Sequence, residues 1–135
     1  MPRTSAKKPG DAAPRGSKST HSAWQIYARF LQLQREVRAK PGVPEMDAME
    51  ERVFEALAAC WGQGRPVTVL QAMSMTGEAS PTTVHRRLKS LRKKELIRLH
   101  EDEADNRIKY IHATDAGIAY LDQMGRCLHG AGTAA

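Results

Sequence analysis

Between Pro81 and Lys94 the sequence reads "PTTVHRRLKSLRKK", with Arg86, Arg87, Lys89, Arg92, Lys93 and Lys94 as cations and no carboxylate among them. Such side chains carry out no covalent chemistry on their own. What they do is hold anions, arginine through a planar fork that matches phosphate oxygens or a guanine edge, lysine as a point charge. Val84, Leu88 and Leu91 recur at helical spacing within the run. On a wheel of ~100° per residue Leu88 and Leu91 fall within about 40° of Val84, and the three define an inner stripe. Thr82, Arg86, Lys89, Ser90 and Lys93 fall on the opposite side, flanked by Thr83 and Arg87. Short hydroxyl side chains therefore precede the cations on one outer face. This arrangement suits a helix whose first turn enters the major groove of duplex DNA. Arg86 would meet a guanine edge there, Thr82 and Thr83 base edges or phosphates, the later cations Lys89 and Lys93 phosphates, and Ser80, His85, Arg87 and Ser90 would complete the DNA-binding set. A solvated amphipathic surface helix has the same composition, so the flanking elements must decide between the two.

Other residue types that could do chemistry lead nowhere as definite. The five histidines show no HxxxH or HExxH spacing, and Cys60 and Cys127 form no CxxC. A metal site needs three or four converging ligands; none is expected, nor is any cofactor. His100 and His112 are expected to be neighbours across a hairpin. Cys60 lies on an apolar stripe beside Trp61, which predicts a buried, inert thiol, and Cys127, following Arg126, is the better candidate for a reactive one. A glycine-rich phosphate loop, a nucleophile motif and a clustered carboxylate pair are all missing from the sequence, which argues against an enzyme. "EMDAMEE" (45–51) and "EDEAD" (101–105) read as a helix start and a hairpin tip.

The basic helix needs elements to position it. From Ser22 to Lys40 two apolar stripes share one helix, Ile26, Phe30, Leu33 and Val37 on one side and Trp24, Tyr27 and Leu31 on another. That is more than one core contact requires, so the second stripe is expected to meet another subunit. "KPGVP" (40–44) breaks the chain. A second helix is predicted from Pro44 to Trp61, with Glu45 and Asp47 at its positive end and Met46, Met49, Val53, Leu57 and Cys60 inside. "GQGRP" (62–66) ends it. Thr68 then caps a short helix over Val69–Met75, Gly77 supplies a turn, and Ser80 with Pro81 starts the basic helix. "LIRLHE" (96–101) and "RIKYIHA" (107–113) alternate like strands. Ile97 and Leu99 share one face of the first; either Ile108/Tyr110 or Ile111/Ala113 faces inward on the second. The polar stretch 102–106 reads as the tip between them. Thr114 caps a last helix over 115–129, with Ile118, Leu121, Met124 and Leu128 on one side, and 130–135 fray.

Of 135 residues carrying a net +6, residues 1–21 hold five Lys/Arg and one Asp, a balance of +4, which leaves only +2 on the other 114. The charge is thus concentrated in the tail and in the basic helix, as a polyanionic partner would select. Residues 1–21, rich in Pro, Gly, Ser and Lys, offer little to bury and are expected to be disordered, either an inert tail or a nonspecific aid to DNA binding. No apolar run approaches the roughly 20 residues of a membrane span. The absence of a secretory signal and the two distant cysteines fit a cytoplasmic, reducing compartment.

"LQAMSMTGEASPTTVHRRLKSLRKKELI" (70–97) followed by "DNRIKYIHATDAG" (105–117) resembles winged-helix bacterial transcription regulators of the MarR type. The likeness is clearest over residues 66–117, and the helices of 22–61 agree in order. It rests on the basic helix running into a strand, on Asp105-Asn106-Arg107 as the D-x-R of the wing, and on Thr114 and Gly117 as its T-x-x-G. By this resemblance Arg107 reaches the minor groove or its phosphates, Asp105 orients it, and Lys109 adds a charge beside them. Two departures stand out: Ala113 replaces the usual leucine before the threonine, and 18 residues follow Gly117, fewer than the family's dimerisation helices use. These bear on the dimer geometry and on the family's effector pocket.

The expectation is therefore a mainly α domain with one β-hairpin, a winged helix-turn-helix over 22–129 flanked by dimerisation helices 22–40 and 115–129. Trp24, Tyr27, Leu31, Ile118, Leu121 and Leu128 would form the homodimer interface. The expected partner is palindromic double-stranded DNA, the expected activity repression, and a small-molecule effector is compatible with the resemblance. A nonspecific architectural DNA binder and a winged-helix protein-interaction module are the rival readings.

Overall fold

The computed structural model describes residues 22–77 and 79–133. The basic tail 1–21 and residues 134–135 lie outside the described residues. The chain divides into two compact units, one of residues up to Pro41 together with Gln123 onward, the other Gly42–Asp122.

In the first unit, helix α1 spans Ala23–Arg38, opened by Ser22, whose backbone N–H donates to the Gln25 side chain at 3.0 Å. Its two stripes part as the spacing predicts. Val37 is buried and Ile26, Phe30 and Leu33 are half-buried, whereas Trp24, Tyr27 and Leu31 are 53%, 61% and 38% exposed. The second half of the last helix completes this unit, with Cys127 and Ala131 buried and Gly130 opposite Leu33.

The second unit holds the remaining elements. Helix α2 spans Ala48–Gly62 and starts later than Pro44, because Asp47 and Glu50 form a reciprocal capping box. The Asp47 carboxylate accepts from the Glu50 N–H at 2.7 Å and the Glu50 carboxylate accepts from the Asp47 N–H at 2.8 Å. Met46 is therefore outside the helix, and the buried residues are Glu50, Val53, Phe54 and Leu57. The inner stripe thus includes Phe54 and a carboxylate, which the apolar spacing did not predict. Helix α3 is one turn, Val69–Ala72, shorter than the predicted 69–75, with Thr68 and Gln71 capping each other. Gly77 takes a left-handed φ of 72° in the turn that follows. Helix α4 spans Pro81–Lys93 with Ser80 as its cap and Val84, Leu88 and Leu91 buried, as the wheel predicts.

Strands β1 (Ile97–Glu101) and β2 (Lys109–Ala113) pair antiparallel, Ile97 opposite Ala113 and Leu99 opposite Ile111. Of the two inward alternatives for β2, Ile111 is the buried one. Arg107 and Ile108 belong to the tip rather than the strand, since the Ile108 N–H closes a turn on the Asp105 carbonyl at 3.0 Å. The Ile111 N–H donates to Val67 at 2.8 Å, which ties the hairpin back to the segment before α3.

Helix α5 runs Asp115–Thr133, four residues beyond the predicted end at 129. Burial of Ala131 explains the extension. Its buried positions are Gly117, Tyr120, Cys127 and Ala131, while Ile118 and Leu128 of the predicted stripe are exposed and Leu121 and Met124 half-buried. Near its start Tyr120 packs edge-on to Phe54 at 5.9 Å, and Phe54 meets Trp61 at 6.0 Å. No described helix is long and apolar enough to cross a membrane.

Candidate nucleic-acid interface

The basic helix is fixed at both ends by local chemistry. At its start the Ser80 hydroxyl accepts from the Thr83 N–H at 3.1 Å and donates to the Thr83 hydroxyl at 3.0 Å. Pro81 fits the first position, where no N–H is needed. At its end the Leu96 N–H returns to the Leu91 carbonyl and the Glu95 N–H to that of Arg92, a Schellman closure. Glu95 holds the left-handed position at φ 62°, with Leu91 and Leu96 buried on either side.

The outer face carries Thr82, Arg86, Lys89 and Lys93, all exposed, with His85 half-buried beside them. Ser90, assigned to this face, and Arg87, expected to flank it, are turned elsewhere. Arg87 pairs with Asp47, Nε to carboxylate at 3.1 Å, and the Ser90 hydroxyl donates to the buried Glu50 carboxylate. Both lie on the flank of α4 that packs on α2, together with Lys94, whose Nζ reaches Glu50 at 2.8 Å. The wheel gave Ser90 an outward position because it measured angle from Val84 alone and could not know that a second, polar flank of the helix would be covered.

Glu50 is 3% exposed, and burial pushes its carboxyl up. Hydrogen bonds from Lys94, Ser90 and the Asp47 N–H outweigh that and hold it below the usual carboxylate range. Asp47 is likewise lowered, chiefly by the Glu50 N–H and then by Arg87. In sequence Asp47 reads only as a carboxylate at the start of the helix and Lys94 only as one of the basic run, and nothing marks Glu50 as buried. The D-x-x-E spacing of Asp47 and Glu50 is a capping-box signal and could have located the helix start; the partners on α4 lie 40 residues away and leave no local signal.

In the hairpin tip the Arg107 guanidinium meets both oxygens of Asp105, Nε at 3.0 Å and Nη2 at 2.9 Å. The Arg107 N–H adds a bond to the same carboxylate at 3.1 Å. Asp105 is itself held by the Asp102 carboxylate through its N–H at 3.0 Å. The guanidinium holds Asp105 below its ordinary range, and the carboxylate raises Arg107. Arg107 nevertheless remains 86% exposed, a guanidinium aimed outward on a fixed stem. Lys109 sits opposite Glu101 in the ladder at 3.5 Å. A groove of about 790 Å³ separates the start of α4 from the hairpin, lined by Leu70, Met73, Thr82, His85, Arg107 and Ile108 among others.

The T-x-x-G pair secures the hairpin to α5. The Thr114 hydroxyl accepts from the Gly117 N–H at 3.0 Å and donates to the Glu95 carbonyl. A Cβ on Gly117 would stand 2.3 Å from the Leu96 carbonyl oxygen, so only glycine permits this approach.

The remaining candidates separate. The rings of His100 and His112 lie 6.1 Å apart, diagonal rather than directly opposed, and among the described residues no three His, Cys, Asp or Glu side chains converge as metal ligands. The cysteines reverse their expected environments: Cys127 is buried, while Cys60 is half-buried with Arg65 Nη2 at 3.2 Å. Helix α5 continues past Cys127, which encloses it.

No protein-family model matches the chain, and no curated protein does. Among solved structures it is similar to a transcriptional regulator of Thermotoga maritima, with a TM-score of 0.56, 17% identity, and 79% of this chain and 67% of that one covered. It is similar to S. aureus MepR bound to ethidium bromide, at TM-score 0.57 and 18% identity, covering 77% and 70%. A MepR mutant bound to an oligodeoxyribonucleotide gives 0.54 and 18%, covering 78% and 70%. At these identities the likeness establishes the fold: the chain has the winged-helix fold of MarR-type transcription regulators.

Proposed function

We propose that the protein is a sequence-specific double-stranded DNA-binding regulator of transcription, a binding protein rather than an enzyme, acting as a homodimeric repressor in the cytoplasm. The observation that carries this reading is the pairing of two exposed cationic groups, one on a capped helix and one clamped in the wing. One is the outer face of α4, with Thr82, Arg86, Lys89 and Lys93; the other is Arg107, held by Asp105 in the wing. Groove readers need side chains that are oriented before contact, because ordering long cations at the moment of binding costs affinity. The winged-helix fold shared with transcription regulators supports the same reading, as does the oligodeoxyribonucleotide bound by the MepR mutant.

The dimer rests on the exposed apolar rows, Trp24, Tyr27 and Leu31 on α1 and Ile118 and Leu128, with half-buried Leu121, on α5. Related by a dyad, two α4 helices would read half-sites about one helical turn apart. A small-molecule effector fits this reading too, by analogy with the MepR neighbour that holds ethidium bromide. Selection from a random duplex pool at physiological salt, followed by sequencing, tests the function. An enriched palindrome is the expected result. Retention without enrichment would mark an architectural binder, and no retention a protein-interaction module; either overturns the proposal.

A further inference from the structure

Helix α4 packs within the second unit through Val84, Leu88 and Leu91, all buried. The hydrophobic effect is non-directional, so an apolar stripe sets the rotation of a helix less sharply than hydrogen bonds of fixed direction do. A rotation of about 20° moves a side-chain tip about 6 Å from the axis through about 2 Å, enough to take a base-reading fork out of register. Something directional must fix the angle at which Thr82 and Arg86 are presented.

The flank facing α2 carries it. Arg87, Ser90 and Lys94 form an i, i+3, i+7 stripe, and each reaches the first turn of α2. Glu50 is the hub. One oxygen accepts from Lys94 at 2.8 Å and from the Asp47 N–H at 2.8 Å, and the other accepts from the Ser90 hydroxyl. Lys94 also donates to the Glu45 carbonyl, and the N-cap Asp47 takes Arg87. Both oxygens of this buried carboxylate are thus committed along fixed directions, one to α2 itself and Lys94, the other to α4. Burying a charge rarely adds stability over an apolar side chain of the same size, so its contribution is better sought in geometry.

We propose that Glu50 is a positioning residue for DNA recognition: through Ser90 and Lys94 its buried carboxylate sets the rotation of α4, and with it which base edges Thr82 and Arg86 meet. The inference rests on the DNA-binding function proposed above and adds to it a specificity determinant that itself touches no DNA.

The test measures, for the full chain, the ratio of affinities for the selected duplex and for a random duplex at one salt concentration. Loss of folded protein scales both affinities alike and leaves that ratio where it was, so a merely structural role does not move it. Ser90→Ala, which removes only the hydroxyl, and Glu50→Gln, which keeps the shape, are each expected to lower the ratio about tenfold. The double variant Glu50→Gln/Ser90→Ala is expected to lower it no further than the stronger single one, since both act on one contact. An unchanged ratio in both single variants, or losses that multiply in the double, would overturn the positioning role while leaving the DNA-binding function intact. A wild-type chain that enriches no sequence overturns both.

Discussion

Two exposed arginines, Arg86 and Arg107, are expected to behave differently when removed. Arg86 projects from the outer face of α4, where a guanidinium can address a base pair; Arg107 stands on the wing, clamped by Asp105. Arg86→Ala should cost about 1–3 kcal/mol on the selected duplex and relax preference at one position. Equal loss on every sequence would remove its base-reading role. Arg107→Ala should weaken binding to all duplexes and lower the salt slope by about one, a signature of a lost phosphate contact. Binding isotherms at several salt concentrations separate the two. The position of Arg86 was legible in the helical spacing, whereas Arg107, at the start of the predicted strand, stands in the hairpin tip. Which arginine of the helix would be taken by a distant partner was not legible: Arg87 carries the same charge as Arg86, yet its partner Asp47 lies 40 residues away.

At the scale of the element, helix ends show how local rules succeed and where they are overridden. Helices α2 and α4 both close with a Schellman motif, α2 through Gly64 at φ 74° and α4 through Glu95 at φ 62°. Glycine takes this conformation freely; a residue with a Cβ does so at a cost. Glu95→Gly should therefore raise stability by about 0.5–1 kcal/mol in denaturant melts. A destabilised variant would show that the Glu95 side chain supplies more than its backbone strain costs.

The Glu50 clasp gives a pH dependence at the same scale. Its folded pKa lies below the unfolded value of 4.5, so its contribution is fully present above that value and is lost as pH falls through the folded one. Acid unfolding below about pH 4.5 should thus be shallower in Glu50→Gln, which at neutral pH should be about 1–3 kcal/mol less stable. An unaltered acid limb would mean that other carboxylates dominate it. The helix containing Glu50 was foreseen from its apolar spacing, but the carboxylate inside the stripe was not, since periodicity scores an acid as solvent-facing until a partner is known.

For the whole molecule, the expectation is association through rows that one copy leaves uncovered. Tyr27 and Leu128 are 61% and 59% exposed. The double variant Tyr27→Lys/Leu128→Lys should be monomeric by light scattering, and its melting temperature should lose the dependence on protein concentration that a dimer shows. Its affinity for a palindrome should fall by about 10²-fold or more as two-site binding is lost. A persistent dimer would place the interface elsewhere.

The sequence by itself determined the order of elements, the caps at Thr68 and Ser80, the buried stripe of α4 and the turn at Gly77, because each follows from side chains within a few residues of one another. It also determined that positive charge would gather on one helix. Tertiary structure decided the rest. It chose Ile111 as the inward residue of β2, extended α5 to Thr133, enclosed Cys127, and turned Ser90 from the outer face, and Arg87 from its flank, to α2. Its hold on Gly117 comes from a carbonyl 21 residues earlier in the chain, Leu96. Burial and long-range hydrogen bonds depend on which surfaces meet, and no local pattern encodes the partner.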